Sequence, residues 1–474
     1  MKRYMASRLA KIVGITFSSY VAVKYTREQL KRTNVFASEI KNQKESDGIE
    51  GEIENSRTPN LDSLKLRNVQ IFFRHGARTP LKFIPGVEEA FWDARFLMGS
   101  LPHADIEYEV HNIHGGGRQP PQDLESHYAK TRFKGGCIAG QLTQLGQSQM
   151  VDLGRSIGKK YLKSLDLNPE YSASSEQDIF IRSTNINRTI LSAKCVVAGM
   201  FGCNNVKDPL KILVSKRATE ILYPNQHHCH LLKAVWTAGW VDFDKLAGFK
   251  DDRLSVQSAL GFTDDINVNI CDCRDVLVAR QAHGLALPKQ LAPVMSVIED
   301  RATQMITVAT CGLESERQST VPLTGGPMVY LVLHHMDSVV MNKSDSKKMC
   351  LYSCHDSSLI PLLEAIGSFD NKWPPYAASV TFELYEDDNG EFWVRTLYLD
   401  EEIKVRNCDS AIVTLDKFHD EVNAYAMSPE QFWARCHGKE AIVDPLMDKI
   451  LQELIQISRS GLRSKKDTDG QYLQ

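Results

Sequence analysis

A pattern that occurs three times constrains this chain most: an apolar run with the length of a buried strand, then polar residues, then a helical stretch further on. The runs are Val69–Phe73, Ile179–Ile181 and Met349–Ser353, and charged side chains follow each of them. Short apolar runs of this kind are typical of inner strands in a sheet that is covered on both faces. Open α/β sheets bind ligands at the carboxyl ends of their strands. The pattern therefore predicts an α/β fold with a polar site at one edge of its sheet.

Helices are predicted where apolar residues recur at three- to five-residue steps. One begins after Thr143, one ends at Gly202 and one ends at Gly367, and these residue types are common at helix ends. Two further strands, Val380–Tyr385 and Trp393–Leu399, are joined through an Asp-Asp-Asn-Gly turn, so we expect a central mixed sheet flanked by helices. The stretch from about 205 to 330 has weaker strand signals, and we interpret it as a smaller, mainly helical inserted subdomain.

The two ends of the chain differ from this globular body, which we place at residues 64–457. The first 32 residues carry eight basic side chains and one acidic one, around the apolar run Ile12–Val23. That run is shorter than the about 20 residues of a membrane span. The composition favours a mitochondrial transit peptide, with a secretory signal and an amphipathic surface helix as alternatives. Residues 33–63 are acidic and poor in apolar side chains, which predicts a flexible linker, and residues 458–474 form a polar tail.

Composition excludes several classes of protein. The 474 residues include 56 Lys and Arg and 59 Asp and Glu, so the net charge is −3, and 42% are hydrophobic. This balance is ordinary for a globular protein and excludes a wholly disordered chain and a polytopic membrane protein. The near-neutral charge argues against a nucleic-acid partner. The eleven cysteines are scattered, and they do not decide between a reducing and an oxidising compartment.

The first polar segment carries the strongest chemical signal. Arg74–Pro80 reads RHGARTP directly after a predicted buried strand, so His75 lies between Arg74 and Arg78. Guanidinium groups match phosphate oxygens with paired N–H donors, and an imidazole among them is a candidate nucleophile. A basic surface turn is the alternative, and the strand that precedes the motif argues against it.

The other two polar segments add groups of the same kind. Arg188 lies at the predicted start of a helix after the second strand, whereas we interpret Arg182 as structural. His355 and Asp356 follow the third strand. The histidine adds a cation when it is protonated, and the carboxylic acid can protonate a leaving oxygen. These groups suit a phosphate monoester dianion, and they can act without a metal or other cofactor.

Two other stretches look functional by composition only. The run from His227 to His230 contains three histidines and a cysteine, but adjacent side chains point apart and rarely bind one ion. Gly115–Gly117 lacks the strand and helix of a nucleotide-binding loop. We interpret the glycine run as a flexible surface loop, and we expect no metal site.

The polar segments also carry a resemblance to a known family. RHGARTP followed by a later His-Asp pair resembles the histidine acid phosphatases, over roughly residues 64 to 435. Within that family, the chain is similar to the enzymes that act on lysophosphatidic acid, which also resemble it at Asn185, where secreted relatives commonly carry Asp. The stretches that carry this closer resemblance are Phe73–Lys82, Lys134–Gly136, Gly140–Thr143, Ile181–Asn185, Leu222–Pro224 and Lys372–Pro375.

The resemblance implies hydrolysis of lysophosphatidic acid to monoacylglycerol and phosphate through a phosphohistidine intermediate. It implies that His75 attacks phosphorus and that Asp356 protonates the departing alkoxide. The residues implied to bind the phosphate oxygens are Arg74, Arg78, Arg188 and His355. A neutral His75 coexists best with a cationic His355 and a protonated Asp356 at acidic pH, so we expect a bell-shaped rate profile there.

The expected partner is a small phosphate monoester, specifically a lysophospholipid. Six apolar side chains near the first motif can line an entry for an acyl chain, with ordinary core packing as the alternative: Leu81, Phe83, Ile84, Phe91, Trp92 and Phe96. A phosphatase for an inositol polyphosphate or sugar phosphate is a second hypothesis, and a non-catalytic phospholipid-binding module is a third. We expect a monomer with a peripheral membrane contact, and a role in lipid metabolism in the mitochondrion, with the secretory pathway as the alternative location.

Overall fold

The structure is a computed structural model, and it describes residues 59–234, 243, 246–262 and 268–437. The predicted transit peptide, residues 33–58 of the predicted linker and the polar tail lie outside the described residues. Thr58–Trp433 form one compact unit, and of the second unit only residues 434–437 are described. Among the described residues, no helix is both long and apolar enough to cross a membrane.

A mixed sheet forms the centre of the compact unit. Its strand order is β2-β4-β3-β5-β1-β6-β7-β8, and β9 pairs with β7. The pairs from β2 to β1 are parallel, and β6 to β9 are joined by antiparallel pairs. The strands are β1 (Lys65–Arg74), β2 (Tyr108–Asn112), β3 (Ile179–Ser183), β4 (Leu210–Val214), β5 (Met349–Cys354), β6 (Ser379–Glu386), β7 (Phe392–Tyr398), β8 (Glu401–Glu402) and β9 (Ile412–Thr414).

Helices flank this sheet and form the insert. In chain order they are α1 (Ala94–Leu97), α2 (Asp123–Tyr128), α3 (Gln144–Tyr161), α4 (Asn187–Phe201), α5 (Phe249–Ala259), α6 (Ile270–Ala282), α7 (Met295–Cys311), α8 (Arg317–Thr324), α9 (Gly326–Val340), α10 (Asp356–Ile366), α11 (Leu415–Val422) and α12 (Pro429–His437). The prediction of an α/β fold with a mixed sheet and flanking helices is confirmed.

Strand β1 illustrates why both faces of the sheet are covered. Its successive side chains point to opposite faces. Ile71 and Phe73 join a core with α3 and α4, whereas Phe72 joins a second core with α9 and α10. Full burial of one such side chain stabilises the fold by about 1.5–3 kcal/mol. A mostly apolar run therefore places β1 in the interior of the sheet, and its last residue, Arg74, lies at the carboxyl end of the strand.

Glycines allow the helices to approach the loops and one another closely. A Cβ atom at Gly154 of α3 would overlap the Val196 carbonyl of α4. A Cβ atom at Gly146, in the first turn of α3, would overlap the backbone of Ala77. Helix α3 therefore lies directly against the loop that follows β1.

The predicted helix ends agree with the structure. The Thr143 hydroxyl caps α3 by accepting a hydrogen bond from the Gly146 N–H, and Gly202 follows α4. Gly367 follows α10 with a φ of 77°, a left-handed conformation that glycine adopts at low cost. The hairpin of β6 and β7 also has the expected antiparallel pairing.

The inserted stretch needs one correction. Strand β4 lies within residues 205–330, and it belongs to the central sheet. A mostly apolar segment of five residues carries too little periodicity to be told from a helical segment. The helical part begins after it: α5, α6 and α7 share a separate core that includes Phe249, Val256, Leu277 and Ile298.

Candidate active site

Sheet topology brings the three polar segments together. Strands β1 and β5 are parallel neighbours with Arg74 opposite Cys354, so His75 and His355 leave the sheet side by side. Strand β3 is the other neighbour of β5, with Ser183 opposite Ser353. All three segments therefore emerge at the carboxyl edge of adjacent strands, the usual ligand site of such sheets.

His75 is buried at this edge with one ring nitrogen fixed. Its Nδ1 lies 2.9 Å from the Gly76 carbonyl oxygen, and because a carbonyl only accepts, Nδ1 carries the proton. In the neutral ring, Nε2 then holds a free lone pair. Burial lowers the pKa of His75 well below its usual value, and nearby cations, first Arg188 and then Arg74, lower it further. The imidazole is thus neutral and able to act as a nucleophile.

Two arginines from the first motif are held by carboxylates. The Arg74 Nη2 atom lies 2.8 Å from the Asp356 Oδ2 atom, and its guanidinium lies 4.4 Å from the centre of the Tyr376 ring. The Arg78 Nη2 atom lies 2.8 Å from the Asp275 Oδ1 atom. Burial by itself would lower the pKa of Arg78, but Asp275 raises it above its usual value. Both guanidinium groups are therefore fixed cations.

Arg188, at the start of α4, has N–H donors without a hydrogen-bond partner. Its guanidinium lies 5.1 Å from the centre of the Tyr128 ring, and its Nε and Nη1 atoms are buried without a hydrogen-bond partner. A Cβ atom at Gly140 would come within 3.3 Å of Nη1, so this glycine gives the cation space. Buried cations with unused donors are costly unless an anion binds them, which marks an anion site.

His355 and Asp356 begin helix α10. The His355 Nε2 atom lies 3.0 Å from the Thr184 hydroxyl, and burial followed by Arg188 lowers the pKa of His355 well below its usual value. Burial alone would raise the pKa of Asp356, but Arg74 and the indole N–H of Trp373 together lower it below its usual value. The protein's own charges thus favour a neutral His355 and an ionised Asp356, which corrects the protonation states expected from the sequence.

The structure adds residues that sequence reasoning missed. Asp275 reaches Arg78 from the insert, and Trp373 donates its indole N–H to Asp356 over 2.8 Å. Trp373 lies in a stretch that carried the family resemblance, whereas nothing local marks Asp275. Arg182 lies outside the cluster, in a buried ion pair with Glu220 at 3.0 Å, in keeping with its interpretation as structural.

The histidine-rich run His227–His230 and the glycine run Gly115–Gly117 lie outside the cationic cluster. Cys229 is disulfide-bonded, so its sulfur is not a free thiolate ligand, and no group of three potential metal ligands occurs in the part of the chain that the structure describes. Gly115, Gly116 and Gly117 all have positive φ and form an exposed turn after β2.

The apolar side chains near the first motif divide into two groups. Ile84 and Trp92 are core residues, as the core-packing alternative expects. Phe83 and Phe91 are 45% and 61% exposed, and the Phe83 ring lies 4.8 Å from that of Phe133. A cavity here is lined in part by Pro80, Phe83, Ile84, Val87, Trp92 and Phe133. It begins two residues after Arg78.

A model of the histidine phosphatase superfamily (branch 2) matches residues 65–254 and 311–399. The chain belongs to this superfamily. Among curated relatives of this histidine phosphatase, lysophosphatidic acid phosphatase type 6 of Mus musculus is 34% identical over 80% of this chain and 90% of its own length. The Homo sapiens protein of that name is 34% identical over 79% of this chain and 86% of its own.

Solved structures share the fold of this histidine phosphatase. The Hafnia alvei phytase in complex with tartrate has a TM-score of 0.51 at 13% identity and covers 78% of this chain and 99% of its own. Among the curated relatives, prostatic acid phosphatase of Bos taurus is 25% identical over 72% of this chain and 80% of its own length. The family and the converged cationic site make the protein a histidine acid phosphatase, a phosphoric monoester hydrolase.

Proposed function

We propose that this histidine phosphatase hydrolyses lysophosphatidic acid to monoacylglycerol and phosphate. The relatives named above support this substrate. The observation that carries the proposal is a largely apolar cavity whose lining begins two residues after Arg78. The segment that supplies Arg78 continues into Pro80 and Phe83 of the cavity lining. One substrate with a phosphate and an acyl chain can therefore occupy both.

We propose the following roles for the clustered residues. The Nε2 lone pair of His75 forms a bond to phosphorus while the ester P–O bond breaks. Asp356 passes to the departing oxygen a proton that enters with the ester or is taken up when the ester binds. Water then attacks the phosphohistidine, and Asp356 takes a proton from that water. Arg74, Arg78, Arg188 and His355 bind the phosphoryl oxygens, whose charge is stabilised best by fixed donors.

The pairing of the outer cations speaks against a polyphosphate substrate. Lys82 lies 2.9 Å from Asp272, and the Arg274 Nη2 atom lies 2.8 Å from Glu299. A site for several phosphates would need such cations to be available to the ligand. The neutral His75 beside Asp356 speaks against a module that only binds, because binding an anion needs neither a nucleophile nor a proton donor.

A phosphate-release assay tests the lipid substrate. It compares lysophosphatidic acids of several chain lengths with glycerol phosphate and phytate. We expect the highest kcat/KM for a long acyl chain. Equal or better turnover of glycerol phosphate or phytate would overturn the lipid assignment, and turnover that survives in His75→Ala would remove His75 as the nucleophile.

Variants of the exposed phenylalanine test the cavity. Phe83→Ser should raise KM for a long-chain lysophosphatidic acid about tenfold, because part of the acyl chain then loses apolar contact at about 0.8 kcal/mol per CH₂. It should leave KM for glycerol phosphate unchanged. Met341→Ser is the matched control, since Met341 is also an exposed apolar side chain but lies at the end of α9. Equal effects on both substrates would contradict an acyl site at Phe83.

The location is a separate proposal. We propose that residues 1–32 direct the protein to the mitochondrion, because basic side chains flank a short apolar run in which acids are nearly absent. Imaging of fluorescent fusions with and without this segment tests it. Mitochondrial signal that depends on residues 1–32 would support the proposal, and entry into the secretory pathway would contradict it.

A further inference from the structure

Helix α6 of the insert supplies two consecutive side chains to the active site. The first is Asp275, and both of its carboxylate oxygens are used. Oδ1 lies 2.8 Å from the Arg78 Nη2 atom, and Oδ2 accepts a hydrogen bond from the Leu81 N–H over 2.7 Å. Asp275 therefore fixes the Arg78 side chain and the backbone of the same loop from a helix on another part of the fold.

The second side chain is Arg274, which contacts the indole ring of Trp373. Its guanidinium is buried and lies 4.1 Å from the centre of the Trp373 ring. Its Nη2 atom lies 2.8 Å from Glu299 of α7. A guanidinium over an indole face is a favourable arrangement, so the ring of Trp373 is fixed between the insert and α10.

Trp373 in turn determines how Asp356 is oriented. The Asp356 Oδ2 atom accepts a hydrogen bond from the Trp373 indole N–H over 2.8 Å and forms an ion pair with the Arg74 Nη2 atom, also at 2.8 Å. Its Oδ1 atom accepts only one hydrogen bond that the structure shows, from the Ser357 N–H. The indole N–H and the guanidinium both favour negative charge on Oδ2, so Oδ1 is the oxygen with a lone pair left for a proton.

We propose that Arg274 and Asp275 are positioning residues that together align the proton donor with the phosphate-binding arginine. Asp275 holds Arg78. Arg274 acts through Trp373 to turn Asp356 so that Oδ1 delivers the proton to the leaving oxygen. The proposal rests on the roles proposed above for Asp356 and Arg78. Because the two residues are adjacent on one helix, the insert fixes the position of Asp356 relative to Arg78.

Loss of the Arg274 contact and loss of the Asp275 contact should have different kinetic effects. A misplaced proton donor harms poor leaving groups more than good ones, whereas a loosened Arg78 harms every phosphate ligand alike. Trp373→Phe keeps an aromatic ring but removes the N–H, and Arg274→Met removes the cation above it. Asp275→Asn keeps the shape and removes the charge.

The experiment measures kcat/KM for phenyl phosphate and for p-nitrophenyl phosphate, together with inhibition by inorganic phosphate. Trp373→Phe should lower the phenyl to p-nitrophenyl ratio of kcat/KM by about tenfold, the effect of one lost charge-assisted hydrogen bond. Arg274→Met should lower the ratio in the same direction by a smaller factor. Asp275→Asn should leave the ratio unchanged and raise the inhibition constant for inorganic phosphate about tenfold. Neither quantity depends on the fraction of enzyme that is folded.

Two further variants separate the outcomes. Asp356→Asn must lower the same ratio; if it does not, the proposed role of Asp356 fails. If Asp356→Asn lowers the ratio and Trp373→Phe does not, the positioning inference fails while the mechanism stands. Asp252→Asn is the matched control, because Asp252 pairs with Arg301 inside the insert at 2.6 Å, and it should change neither quantity. A ratio change in Asp275→Asn as large as that in Trp373→Phe would also overturn the division of roles.

Discussion

Replacing His75 with Asn should make the free energy of unfolding less sensitive to acid, by about 2 kcal/mol between pH 8 and pH 5. Burial and the guanidinium groups of Arg188, Arg74 and Arg78 hold the pKa of His75 well below 6.5 in the folded protein. The unfolded chain therefore takes up a proton at this histidine as the pH falls through 6.5, and the folded protein does not. Stability is fully present above pH 6.5 and is lost on acidification.

The size of this change in unfolding free energy depends only on the pKa of the histidine in the unfolded chain. For a group with an unfolded pKa near 6.5 that stays neutral in the folded state, integration from pH 8 to pH 5 gives about 2 kcal/mol. Asn carries no charge at any pH, and its amide N–H can replace the Nδ1–H that donates to the Gly76 carbonyl. The variant therefore removes the titration and keeps the hydrogen-bond donor.

Urea unfolding at pH 8, 6.5 and 5 measures the effect as a difference between proteins. His335→Asn is a matched comparison. The pKa of His335, on α9, is lowered to about 4, mainly by burial, and its ring lies near Phe180 of β3 and Tyr352 of β5. This variant should reduce the pH dependence of the unfolding free energy by a similar amount. The double variant should reduce it by about 4 kcal/mol if the two sites are independent. If wild type and His75→Asn lose equal stability on acidification, His75 is not held neutral by the cluster.

Three other substitutions have defined outcomes. Arg188→Lys should lower kcat/KM for p-nitrophenyl phosphate by about a hundredfold, because lysine cannot replace the two unused donors of the guanidinium; a change below threefold would contradict a role in binding the phosphoryl group. Gly146→Ala should destabilise the protein by about 1–3 kcal/mol in urea unfolding and lower kcat, because the added methyl overlaps the backbone of Ala77; an unchanged midpoint would show that α3 can retreat freely. Glu383→Gln should lower stability by about 3–5 kcal/mol, because the fully buried carboxylate accepts from Arg395 and two tyrosines; a neutral effect in a thermal scan would refute that estimate.

Local pattern was enough to predict the parts of the fold that place the nucleophile. The runs that became β1, β3 and β5 are mostly apolar, because both faces of these strands are covered. The short edge strand β2 was missed because its residues, Tyr108–Asn112, are exposed or half-buried and carry no apolar pattern. Inner strands can therefore be recognised from their apolar residues. An edge strand such as β2 carries no such pattern, and its position follows only from its pairing with a neighbouring strand.

The positioning residues could not be predicted for a different reason. Asp275 lies almost two hundred residues from Arg78 and sits in a helix with ordinary composition. Only the packing of the insert brings it to the site. Similarly, no local rule separates Phe83, which is exposed, from Ile84, which is buried in the core shared by α5, α6 and α7. The clustered apolar residues therefore left an acyl-chain entry and core packing both open, and they did not predict which side chains a ligand could reach.

The corrected protonation states have a consequence for the proposed reaction. The protein alone keeps His75 and His355 neutral and Asp356 ionised, so the proton for the leaving group has to enter with the ester or be taken up when its negative charge arrives. A bound phosphate offsets the guanidinium charges and raises the pKa of every nearby group. The charged groups that shift the pKa of His75 most are all cations, whereas Asp356 raises that of His355. A single added proton is therefore held by the pair His355 and Asp356, and His75 keeps its lone pair for phosphorus.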